Sequence, residues 1–148
     1  MNPAKRYLSQ IQLLDLKISQ LIEERDSLRS LASGSGSLSI NPMRVQTSSP
    51  GSMMSNCVDK YVDLERVIED MVDRYVNDRH RVIEEIQSLK NPNHIRLLFL
   101  RYVEFRKLDE IAKIMGYSEV HIRRMHGNAL DEFSQFMGFA GHKGIDAQ

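Results

Sequence analysis

The sequence has one cysteine, Cys57, in 148 residues. A lone thiol makes neither an intramolecular disulfide nor a thiolate metal cage, and Cys57 reads as a small semi-apolar residue in a reducing cytosol. There is no tryptophan and aromatics make up 7% of the chain, so any core must be built from Leu, Ile, Val and eight methionines. Nor does one sign of charge dominate. Twenty Lys and Arg cancel twenty Asp and Glu, which leaves no global cationic field to announce nucleic acid and no acidic excess. No stretch approaches the roughly 20 apolar residues of a membrane span, and the N-terminus lacks the apolar run of a signal peptide. The expectation is a cytoplasmic protein with no membrane partner, too short for two full enzyme domains.

Catalytic signals are also missing. His80, His94, His121, His126 and His142 show no metal-ligand spacing, and neither a phosphate-binding glycine loop nor a nucleophile elbow occurs. The acidic pairs Asp63-Glu65, Glu69-Asp70 and Glu84-Glu85 have no convergent partner and read as a solvated helix face. No enzyme activity, cofactor or metal is expected.

Periodicity is what the chain does have. Asn2 before Pro3 reads as a helix cap and first position, and Tyr7, Ile11, Leu14, Ile18, Leu21 and Leu28 follow at steps of four and three, broken only by Arg25. This heptad stripe predicts a long coiled-coil-like helix to about Leu31, with Lys17, Glu23, Glu24 and Asp26 on solvated flanks. Ser33-Gly34-Ser35-Gly36-Ser37 ends it, and the stretch Ala32–Ser55 predicts a flexible linker whose scattered Leu38, Ile40, Met43 and Val45 are able to dock on a neighbouring helix.

A second long helix is predicted from Cys57 to Leu89, capped by Asn56. Its seam runs Tyr61, Leu64, Ile68, Met71, Tyr75, Arg79, Val82, Ile86, Leu89, with a stutter at Met71 to Arg79. A side row of Val58, Val62, Val72 and Val76 widens the apolar face, so this helix is expected to touch more than one neighbour. Nine acidic against six basic residues over Cys57–Lys90 make it a poor DNA surface.

Asn91-Pro92 repeats the cap-then-proline signature and marks a boundary between a helical region, 1–90, and a C-terminal domain, 91–137. Helices are predicted over Pro92–Val103, Leu108–Met115 and Ser118–Phe133, and the tail, 138–148, is expected to be disordered. Leu108, Ile111, Ala112 and Met115 share one face; Gly116 suits a left-handed cap; Ser118 caps a helix whose inner face is Ile122, Met125, Ala129 and Phe133. Two helices joined so tightly must cross steeply, and Ala112 permits close approach. Leu97, Leu98, Leu100 and Val103 complete a three-helix core. The fold class is therefore all-α: long coiled-coil-like N-terminal helices followed by a C-terminal three-helix helix-turn-helix domain.

That stretch resembles the helix-turn-helix of the final conserved region of bacterial sigma factors at Ile111-Ala112, Gly116, Ser118, Ile122 and Ala129-Leu130, preceded by Arg101-Tyr102-Val103-Glu104. With a coiled-coil-like half before it, it is similar to small phage-encoded transcriptional regulators of the ArpU and RinA kind over about Leu97–Phe133, and to the remainder only in layout. The resemblance implies a bacteriophage or prophage regulator of late genes, acting in a bacterial host cell. Lys107 departs from the usual Ser or Thr cap, and Glu119 from a common Arg, so no promoter preference is implied.

In a helix-turn-helix the second helix enters the major groove. Ser118, Glu119, Val120, His121, Arg123 and Arg124 are the candidate DNA-binding residues: Arg124 to fork onto a guanine, Glu119 to accept from a cytosine amino group, Val120 to touch a thymine methyl, Arg123 to clamp phosphate. The glycine after His126 suggests close packing or a helix bend. From Asn91 onward eight basic and seven acidic residues give a net charge of only +1, so one copy binds weakly and the N-terminal helices are expected to form a dimer on double-stranded DNA. The competing arrangement is an intramolecular hairpin of the two long helices. Two further readings stand beside the DNA-binding activator: a sigma-like appropriator that docks on RNA polymerase, and a small terminase-like packaging subunit.

Overall fold

A computed structural model describes residues 2–33 and 50–139, and within them all regular structure is helical: α1 (Pro3–Ala32), α2 (Pro50–Gln87), α3 (Pro92–Leu98), α4 (Leu108–Met115) and α5 (Glu119–Met137). None of these helices is long and apolar enough to cross a membrane. Asn2 caps α1 as expected, its Oδ1 accepting the Ala4 N–H at 2.8 Å. The start of α2 differs from expectation. It lies at Pro50, where a proline's missing N–H costs nothing, so Asn56 is an exposed interior residue rather than the cap. The linker expected over 32–55 is thereby shortened at both ends, and what remains of it, 34–49, lies outside the described residues, as do the tail positions 140–148.

The chain divides into two compact units, one of Met1–Leu14 with Tyr75–Gln148 and the other of Asp15–Arg74. In the second, Ile18 and Ile68 are the buried apolar side chains among the described residues, flanked by half-buried Leu21, Leu28, Tyr61, Leu64 and Met71. Arg25, the break in the α1 stripe, places its guanidinium 2.9 Å from Glu65 on α2. A polar residue at a seam position thus finds a carboxylate across the seam.

In the first unit the core gathers Ala4, Leu8 and Ile11 from α1, Val82 and Ile86 from α2, Leu89 just beyond it, and the inner faces of the three C-terminal helices. Those helices do not close on themselves. Ala4 and Leu8, both 0% exposed, lie off the stripe read from sequence, because this end of α1 packs on α5 as well as α2: the Tyr7 ring lies 6.1 Å from that of Phe133. The Tyr7 hydroxyl donates to the Glu85 carboxylate at 2.9 Å, and burial together with that carboxylate raises its pKa. The contacts Tyr7 to Glu85 and Arg25 to Glu65 both join α1 to α2 of the same chain, so intramolecular pairing of these helices is present. Phe139, expected to belong to a disordered tail, instead packs on Tyr7 at 5.6 Å between ring centres, since an aromatic directly beyond the left-handed Gly138 still reaches the core.

The helix read over Pro92–Val103 is α-helical only to Leu98. Phe99–Val103 form a π-helical turn, which buries Leu100, Tyr102 and Val103 together. Phe105 then takes a left-handed conformation, φ 59°, and reverses the chain into α4. The Arg101 guanidinium supports that reversal by donating to the Arg106 carbonyl at 2.9 Å.

Candidate nucleic-acid interface

Helix α4 begins after Lys107, whose ammonium offers no acceptor to the first turn. Half a capping box suffices: Glu110 turns back to accept the Lys107 backbone N–H at 3.2 Å. Ile111 and Ala112 face inward at 0% and 3% exposure. Gly116 ends the helix at φ 75°, a conformation that costs a side-chain-bearing residue about 1 kcal/mol or more, and both Gly116 and Tyr117 N–H groups return to the Ala112 carbonyl. Ser118 then caps α5, its Oγ accepting the His121 N–H at 3.2 Å. The chain spends three residues, Gly116, Tyr117 and Ser118, between two helices.

Helix α5 sorts its residues sharply. Ile122, Met125, Ala129, Leu130 and Phe133 are buried, while Glu119, Val120, His121, Arg123 and Arg124 are all exposed. Val120, Arg123, Arg124 and Gly127 stand at i, i+3, i+4 and i+7, and so form one outward stripe at the N-terminal end of the helix. Val120 is 68% exposed, the barest of the large apolar residues among the described ones. Arg123 and Arg124 make no ion pair with any described residue. One aromatic absent from the sequence reading joins them: the Tyr117 ring, 39% exposed, lies 4.7 Å from that of His121. The signal for it was its place between the glycine stop and the serine cap.

The inward flank of α5 is polar in two places. His126 Nε2 and the Tyr102 hydroxyl share a hydrogen bond at 2.7 Å, and the two rings stack with centres 5.8 Å apart. Burial, then the positive charges of Arg101 and Lys5, lower the His126 pKa from 6.5 to about 4, while burial lifts Tyr102 to about 12. The pair is therefore neutral near pH 7. Protonation of His126 favours the unfolded chain. Stability is complete above pH 6.5 and falls as pH drops from about 6.5 to about 4, by less than about 1.4 kcal/mol per pH unit because the ring keeps some contact with water. The urea midpoint of His126→Gln, whose amide can still hydrogen-bond the Tyr102 hydroxyl, is expected to stay flat over that range where the wild type declines.

The second is Glu132. Its carboxylate accepts the Lys90 N–H at 2.8 Å and the Asn91 N–H at 3.4 Å, and contacts His94 Nδ1. Partial burial pushes its pKa up, but the His94 bond and the two backbone donors outweigh this and hold it below the ordinary value. Glu132 thus pins the start of α3 to the far end of α5. Its partners lie some forty residues earlier, so no local pattern announced it.

Gly127 is not explained by packing, contrary to expectation. A Cβ there would meet nothing within 4 Å, and the residue is exposed in unbroken helix. Gly127→Ala should therefore stabilise the fold by about 1 kcal/mol, seen as a raised thermal midpoint.

Among the described residues no group of three or more His, Cys, Asp or Glu side chains is placed to hold a metal ion. Compared with known proteins, the chain matches no family model, no curated protein and no solved structure.

Proposed function

We propose that the protein is a sequence-specific DNA-binding transcriptional regulator in which α4 and α5 form a helix-turn-helix and α5 is the recognition helix. The observation that carries this reading is the stripe of Val120, Arg123, Arg124 and Gly127, two unpaired guanidiniums beside an apolar tip and a bare backbone position, on a helix whose other face is buried. An N-terminal helix end presented to a major groove offers base edges its first outward side chains. Arg124 forks onto guanine O6 and N7, Val120 meets a thymine methyl, Glu119 accepts from a cytosine amino group, and Arg123 holds phosphate. Ser118 caps the helix and Tyr117 with His121 form an aromatic flank toward the sugar-phosphate edge. The exposed backbone at Gly127 lets the duplex approach the third turn without obstruction.

The C-terminal residues from Asn91 carry a net charge of only +1, so tight binding calls for two copies, and the N-terminal helices supply the pairing. The resemblance to phage regulators gives the late-gene setting. Footprinting of the purified protein on fragments of the genome that encodes it tests the reading. Protection of a repeated half-site supports it; uniform weak protection that vanishes with modest salt contradicts it.

A further inference from the structure

The residues that follow Asn91 are not the whole of the compact unit that holds α5. Met1–Leu14 belongs to it too, a stretch with Lys5 and Arg6 and no acidic residue. Ala4 and Leu8 seat the start of α1 in the same core as Ile122, Met125 and Ala129 of α5, and Lys5 between them stays half-buried. A second cation comes from a different element. Arg101, in the π turn, is held by its 2.9 Å bond to the Arg106 carbonyl and precedes Tyr102, whose hydroxyl shares a 2.7 Å hydrogen bond with His126.

Both cations converge on His126. After burial, the charges of Arg101 and then Lys5 are what hold that imidazole neutral. His126 stands three residues beyond the exposed Arg123, one turn along the same edge of α5. Neither Lys5 nor Arg101 has a carboxylate partner among the described residues, and Glu104, the acid nearest Arg101 in the chain, lies 3.8 Å from Arg106. Like charges gathered from α1 and the π turn without a counter-ion oppose the compact state, and a polyanion offsets that cost.

We propose that Lys5 and Arg101 form a phosphate track beside the recognition helix, so that the first turn of α1 belongs to the DNA interface. Its occupant is the sugar-phosphate backbone flanking the base pairs that α5 reads. Contacts of this kind carry no sequence information and fix how the recognition helix is seated. The inference rests on the proposed DNA binding and extends its surface beyond the helix-turn-helix.

Titration of labelled duplexes with the full chain at several salt concentrations tests it, with circular dichroism to check the fold of each variant. Lys5→Gln and Arg101→Gln should each weaken binding to every duplex about three- to tenfold. Each should also flatten the slope of log affinity against log salt by about one unit and leave the preferred sequence unchanged. Arg101→Lys keeps the charge and should restore the slope; if it behaves as Arg101→Gln does, the residue acts only through the Arg106 carbonyl, and the track is overturned. Lys60→Gln, at an exposed cation of the other unit, should leave the slope at its wild-type value. Equal flattening there makes the effect one of net charge and also overturns the track. Wild-type slopes in Lys5→Gln and Arg101→Gln, with affinity still lost in the Arg123→Ala, Arg124→Ala double variant, overturn the track and leave the recognition helix standing. Affinity unmoved in every variant removes the DNA reading itself.

Discussion

Replacing Arg123 and Arg124 together with alanine is expected to weaken binding to a specific duplex by about a hundredfold, while the melting temperature stays within a degree or two of wild type. The size follows from the two roles. A bidentate arginine on guanine is worth about 1–3 kcal/mol of discrimination, and a phosphate clamp contributes about one unit to the slope of log affinity against log salt. The single variants should therefore differ in kind: Arg124→Ala relaxes preference at one base pair, and Arg123→Ala weakens all duplexes alike and flattens the salt dependence. Both side chains are exposed and unpaired within the described chain, and Ala is at least as good a helix former as Arg, so the fold loses nothing. Titration of a labelled duplex at several salt concentrations separates the two. Unchanged affinity in the double variant removes α5 from the DNA-binding role.

Phe133→Ala should cost about 3–5 kcal/mol, a large fraction of the stability of a chain this size. Phe133 is among the largest fully buried side chains, and it stands where α5 meets the N-terminal turns of α1 through Tyr7. The cavity left behind touches α1 as well as α5, so the loss should appear as one cooperative transition carrying DNA binding down with it. A C-terminal three-helix domain that folded by itself would retain binding after removal of the first fourteen residues. The shared core of Ala4, Leu8 and Ile11 with α3–α5 predicts that this truncation unfolds the C-terminal half instead. Urea denaturation followed by circular dichroism, with binding measured in parallel, reads both effects.

The parts of this structure that sequence conveyed are those fixed by near neighbours. The bounds of α4, the left-handed Gly116, the Ser118 cap and the sorting of α5 into buried Ile122 and Met125 against exposed Arg123 and Arg124 each follow from contacts within four residues along the chain. The seam from Tyr61 to Ile86 on α2, with Leu89 just past the helix end, is likewise buried or half-buried throughout, since periodicity is a local property. What escaped depends on distant partners. Leu8 is buried in a core shared with helices that arrive more than seventy residues later, and the Tyr102 to His126 bond needs the π turn to aim the phenol. Gly127 misled for the opposite reason: a glycine inside a helix suggests a tight neighbour, and its surroundings turn out to be open.

The most direct measurement is hydroxyl-radical footprinting of the full chain on a fragment selected from its own genome at physiological salt. Recognition by paired α5 helices gives two protected half-sites about 10–10.5 base pairs apart, or a multiple of that, with protection lost in the Arg123→Ala, Arg124→Ala double variant. A footprint that persists in that variant, or affinity that is the same for every duplex offered, contradicts it.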